Sequence, residues 1–142
     1  MSEAVEAKVK LIGGMSFDGE TPSGHHITLD AAQEVGGENK GPRPMELLLV
    51  ALGACTGMDV ISILRKKRQP VAGYEIIVKG ERAEEHPKVY TSIHVEHVVY
   101  GRGVSPEAVA RAVELSEGKY CPISALLRPG TKLVNTYRVV EE

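Results

Sequence analysis

The chain has 142 residues, 25% of them charged, and a formal charge of −2. That length supports one domain with a real core, and since no Pro/Gly/Ser-rich linker divides it, a single domain over residues 1–142 is expected. The charge balance excludes a general pull toward nucleic acid, and two cysteines without a CxxC spacing are too few for a secreted disulfide framework and badly spaced for zinc.

The N-terminal MSEAVEAKVKL alternates charged and apolar residues and lacks the unbroken apolar core of an export signal, so a cytoplasmic protein is expected. From Ala4 to Ile12 the alternation puts Val5, Ala7, Val9 and Leu11 on one face and Glu6, Lys8 and Lys10 on the other, the pattern of a half-buried strand. Gly13-Gly14 breaks it, a short segment follows around Met15 to Phe17, and Asp18-Gly19 reads as a turn before a strand at His25 to Leu29. The opening third is therefore antiparallel β. Asp30 to Arg43 holds Gly36-Gly37, Asn39, Gly41 and Pro42, too many breakers for a regular element, and reads as a long loop of the kind that often carries function.

Pro44 to Arg68 is the longest element. Pro44 suits the first helical position, Glu46 the positive end of the helix dipole, and Arg65-Lys66-Lys67-Arg68 the negative end. Leu47 to Leu64 approaches the length of a membrane span, but Gly53, Gly57 and Asp59 interrupt it, and a mid-span Asp costs about 3 kcal/mol to insert. The buried centre of a soluble fold is the expected setting, with no membrane involved.

Two strand patterns, Val71 to Ala83 and Val89 to Tyr100, are joined through Glu84-Glu85-His86-Pro87 as a hairpin. Ser105-Pro106-Glu107 opens a second helix with a Ser cap, and its apolar stripe, Val109, Ala112 and Val113, runs up to a break at Gly118. A short helix begins behind Cys121 and stops at Pro129-Gly130, and a last alternating strand covers Lys132 to Val140. The expected class is α+β, antiparallel sheets packed on a long central helix.

Each cysteine admits two readings. Cys121, at the start of a helix with Pro122 behind it, lies where the dipole favours a thiolate, and it is equally a small hydrophobe beside Tyr120. Cys55 lies mid-helix: Leu48 is about 20° from its direction, Asp59 about 40°, and Leu52 and Met58 about 60°. Apolar neighbours and a carboxylate both disfavour ionisation, so alone this residue reads as core filler unless something cationic approaches it.

The words around the two cysteines change that balance. Pro44-Met45-Glu46-Leu47-Leu48 leading to Ala51-Leu52-Gly53-Ala54-Cys55, with Tyr120-Cys121-Pro122-Ile123-Ser124 further on, resembles the OsmC/Ohr family of osmotically induced and organic hydroperoxide resistance proteins. The resemblance spans essentially the whole chain. It implies the OsmC-like fold, an intertwined homodimer, and a thiol-dependent peroxidase without metal or other cofactor. Cys55 matches the residue that attacks the peroxide and Cys121 the one that resolves the sulfenic acid to a disulfide, with an external dithiol as reductant.

The chain departs from the family pattern where the thiolate is activated. Met45 stands where peroxidatic members carry a glutamate, and Glu46 lies about 180° around the helix from Cys55, against about 80° for position 45. The only loop arginine, Arg43, sits between two prolines and reads as a surface or structural residue. Asp59 adds a like charge beside a thiolate. His94 and His97, three apart on a strand, point to opposite faces and cannot easily share a metal. The expected function is reduction of organic hydroperoxides by Cys55 and Cys121, with Arg43, Glu46, Met45, Asp59 and Leu52 as possible activating or pocket residues. The alternative is an OsmC-fold dimer that binds an apolar ligand or a thiol partner with little turnover.

Overall fold

A computed structural model describes residues 4–142, which form two compact units divided inside the long helix, one up to Leu48 and the other from Leu49 onward. Positions 1–3 of the stretch read above for the absence of an export signal lie outside the described residues.

In the first unit, β1 (Lys8–Gly13), β2 (Ser16–Glu20) and β3 (His26–Leu29) make an antiparallel sheet in that order. Gly13 and Gly14 carry the β1–β2 turn with φ of 147° and 54°, values that only glycine adopts freely. Asp18 and Gly19, expected as a turn, instead lie within β2 opposite Thr28 and Ile27. Cross-strand pairing decides this: His26 Nδ1 lies 2.9 Å from the Asp18 carboxylate, and a Cβ on Gly19 would sit 3.5 Å from the Ile27 side chain. Val9 and Leu11 are 65% and 56% exposed rather than half-buried, because the strands form a single layer and no α-helix within residues 4–43 covers it. The long loop is organised by Asp30, whose carboxylate accepts the N–H groups of Ala31, Glu38 and Lys40 at 2.7, 3.1 and 3.1 Å. Burial alone would raise its pKa, but these donors outweigh it and hold the group at about 2.

Helix α1 spans Pro44–Lys66. It ends where Arg68 turns to a φ of 55° and the Gln69 N–H reaches back to the Leu64 carbonyl at 2.9 Å. In the second unit, β4 (Gly73–Arg82) and β5 (Tyr90–Tyr100) form the expected hairpin, and β6 (Lys132–Val140) lies on the other side of β5. The pairing of β6 corrects the all-antiparallel expectation, for it runs parallel to β5 from Ser92↔Lys132 to Tyr100↔Val140. A parallel neighbour requires a long crossover, and α2 (Pro106–Leu115) and α3 (Pro122–Leu127) lie within it.

One stripe of α1, including Leu52, Gly53, Thr56, Gly57, Val60 and Leu64, is buried. Gly53 and Gly57 face β4: a Cβ would come within 3.1 Å of Val78 at the first and 2.5 Å of Ile76 at the second. They let helix and sheet approach closely, so these interruptions of a membrane-like run are packing positions. Val60 and Leu64 continue into a core with Val99, Val104, Val109, Ala112 and Val113. Although the buried centre of the fold is the expected setting, the opposite stripe is open, with Val50 63% and Met58 70% exposed and Ala54 exposed between them.

Helix α2 starts as its sequence predicts, the Ser105 hydroxyl accepting the Ala108 N–H at 3.2 Å with Pro106 behind the cap. Its end differs. Gly118 does not stop the helix, which continues as a π-helical turn over Ser116–Tyr120 and delivers the chain directly to Cys121.

Candidate active site: a half-buried dithiol

Cys55 projects from the middle of α1, half-buried, and Cys121, 2% exposed, is the N-terminal cap of α3. Both are free thiols and they are hydrogen-bonded to each other. The π turn sets Cys121 in place: its N–H donates to the Ser116 carbonyl at 2.8 Å, closing a five-residue turn where an α-helix would close four. Pro122 then fixes the first position of α3, and two N–H groups of its first turn go to sulfur. Ser124 N–H donates to Cys121 Sγ at 3.4 Å, and Ile123 N–H donates to the Cys55 sulfur.

Burial is the largest influence on Cys55 and pushes its thiol pKa up. The hydrogen bond to Cys121 acts in the same direction, as do the charges of Cys121 and Asp59, while the Ile123 N–H opposes them by stabilising the thiolate. Asp59 stands one turn beyond Cys55 and accepts a hydrogen bond from Ser116 Oγ at 2.8 Å. That serine is fully buried and lies 2.7 Å from the buried Thr56 hydroxyl. The single Ser116 proton is committed to the carboxylate, so Thr56 donates to Ser116. Asp59 also lines a surface groove of about 240 Å³ with Ser62, Ile63, Lys66 and Tyr120, the residue before Cys121.

The remaining residues singled out in the sequence fall as follows. Leu52 is 1% exposed in the core. Glu46 accepts the Arg43 N–H at 2.9 Å, which makes it the third-position partner of a capped helix start. The Arg43 guanidinium is taken up in its own loop by Asn39 Oδ1 and the Gly41 carbonyl. Met45 is partly buried in the first turn of α1.

The sequence reading missed Thr56, Ser116 and the Ile123 N–H. A mid-helix Thr and a Ser ahead of Gly118 carry no local signal, because only the π turn brings them together. His97 is fully buried while His94 is exposed and bonds Thr136, so the two histidines do face apart. Tyr74 O–H donates to His97 Nδ1 at 2.7 Å, and His97 Nε2–H donates to Asn135 Oδ1 at 3.1 Å. Burial lowers the His97 pKa, and burial together with the Asp59 charge raises that of Tyr74.

Comparison with known proteins agrees with this architecture. The family model described as OsmC-like protein matches residues 37–134, and the chain belongs to that family. It is 41% identical to Protein YhfA of Escherichia coli strain K12 over 136 residues, which cover 96% of this chain and 98% of that protein. A crystal structure of a hypothetical protein from Aquifex aeolicus superposes with a TM-score of 0.87 at 41% identity, covering 99% of each chain. An organic hydroperoxide resistance protein from Legionella pneumophila shares the fold at 17% identity, with a TM-score of 0.71 over 95% of this chain and 96% of that one. The OsmC-like fold is thus established.

Proposed function

We propose that the chain is a homodimeric cytoplasmic thiol peroxidase that reduces organic hydroperoxides with Cys55 and Cys121. The observation that carries this reading is the hydrogen-bonded thiol pair with two backbone N–H groups aimed at its sulfurs. Once Cys55 loses its proton, its thiolate attacks the distal peroxide oxygen, the O–O bond breaks, and the leaving alkoxide takes up a proton to become an alcohol. Cys55 is then a sulfenic acid. The Cys121 sulfur attacks it, hydroxide leaves and is protonated to water, and a Cys55–Cys121 disulfide remains. An external dithiol restores both thiols by exchange and is itself oxidised to a disulfide. The Ile123 N–H favours the anionic sulfur at the start of the cycle. The open α1 stripe of Val50, Ala54 and Met58 supports the homodimer that the family resemblance implies.

One equivalent of cumene hydroperoxide should convert the reduced protein to the intramolecular disulfide, read by mass spectrometry, and Cys55→Ser should abolish it. Fully free thiols in the wild type would sink the proposal. The second reading, a dimer that binds an apolar ligand or thiol partner with little turnover, is favoured by the upward shift of Cys55. Peroxide consumption with a dithiol at rates orders of magnitude above free cysteine excludes it.

A further inference from the structure

Three hydroxyl and carboxylate side chains are buried or half-buried where α1 meets the end of α2, a setting in which polar groups cost stability unless they are hydrogen-bonded. Thr56 follows Cys55 directly, and Asp59 lies one turn beyond it. Both are joined to Ser116, at 2.7 and 2.8 Å. Ser116 is also the residue whose carbonyl receives the Cys121 N–H, at 2.8 Å, across the π turn. One residue thus clasps the Cys55 helix with its side chain and holds the Cys121 backbone with its main chain.

We infer that Thr56 and Ser116 are positioning residues for the dithiol: their hydrogen bond fixes the π turn to α1 and so sets the separation and alignment of Cys55 and Cys121. The inference rests on the reading of these cysteines as a redox pair. Neither hydroxyl reacts. Their contribution is to hold Cys121 in line with Cys55, so that the second thiol closes on the first as an intramolecular step with a high effective concentration. An ordinary α-helical ending of α2 would have the Cys121 N–H donate to Glu117 instead of Ser116, and would rotate the second thiol away from α1.

The test measures the effective concentration of the Cys55–Cys121 disulfide, by equilibrating the full-length protein with reduced and oxidised glutathione after oxidation with diamide. This oxidant takes two electrons and two protons from a thiol pair and requires no peroxidase activity. Thr56→Val keeps the shape of the side chain and removes its proton, Thr56→Ser keeps the proton, and Ser116→Ala breaks the junction from the other side. The expected result is a fall of about tenfold or more in Thr56→Val and Ser116→Ala, with Thr56→Ser within about twofold of the wild type. Each variant's urea midpoint is recorded, and the comparison uses those that remain folded under the assay conditions, any two of which suffice. A wild-type value in Thr56→Val or Ser116→Ala, or an equal fall in Thr56→Ser, overturns the inference while leaving the redox pair intact. Failure of the wild type to form the disulfide with diamide overturns both. A protein that closes the disulfide with diamide but ignores cumene hydroperoxide loses only the peroxidase reading.

Discussion

The pH dependence of Cys55 reactivity tests the site most directly. An ordinary thiol with a pKa of 9.0 is about 1% ionised at pH 7, and burial, the Cys121 hydrogen bond and two neighbouring charges push Cys55 above that reference. Less than about 1% thiolate at neutral pH is therefore expected, and the rate of alkylation should rise about tenfold per pH unit from 6 to 8 without a plateau. Iodoacetamide pulses followed by peptide mapping read Cys55 separately from Cys121. Replacing Cys121 by Ser substitutes the strongest specific partner, whereas Asp59→Asn removes a smaller influence, so the profile should move further toward neutral pH in Cys121→Ser than in Asp59→Asn. A plateau by pH 7.5, or a larger shift in Asp59→Asn, would contradict this assignment of causes. Stability carries the same sign: since folding raises this pKa, the thiol's contribution is complete below its unfolded value and is lost as pH rises through the folded one.

Three further outcomes are expected. Burial depresses the His97 pKa, so its contribution to stability is present above the unfolded value of 6.5 and lost as pH falls through the folded one; an NMR titration placing His97 at or above 6.5 would contradict this. Leu64→Ala should cost about 2–5 kcal/mol in urea unfolding, because the side chain is fully buried against α2 and β5, and a loss below about 1 kcal/mol would mean the core is misplaced. Met58→Asp should leave the chain folded, the side chain being 70% exposed, but shift sedimentation toward a monomer; an unchanged mass would exclude this stripe as the self-association surface.

The sequence announces those features whose causes are local. Pro44, Ser105-Pro106 and Cys121-Pro122 mark helix starts because caps and proline act on their own turn, and all three stand where the structure has them. The hairpin of β4 and β5 follows from its alternation, and the OsmC-like fold from words spanning the chain. Features set by distant partners are not legible in this way. Asp18-Gly19 has turn chemistry, yet pairing with Thr28 and Ile27 overrides it. Gly118 looks like a stop, yet the π turn passes through it, and with that turn the Thr56–Ser116–Asp59 chain became invisible. Glu46 and Arg43 stay open in the sequence as possible activating residues because their cap and loop hydrogen bonds are not written in their spacing to Cys55.

The parallel pairing of β6 with β5 has a consequence for the order of events in folding. The β4–β5 hairpin joins neighbours in sequence and closes a short loop, but β6 can pair only after residues 101–131 have wrapped across as a unit. Cys121 rides on that crossover and Cys55 does not. Bringing the two thiols together therefore closes a long loop, a larger entropic cost than the hairpin carries, and an unfolded chain lacks the fixed pair that the native topology holds. Formation of the Cys55–Cys121 disulfide under mild oxidant should therefore be faster in the folded protein than in urea, a chemical readout of native topology that spectroscopy of helix content alone cannot supply.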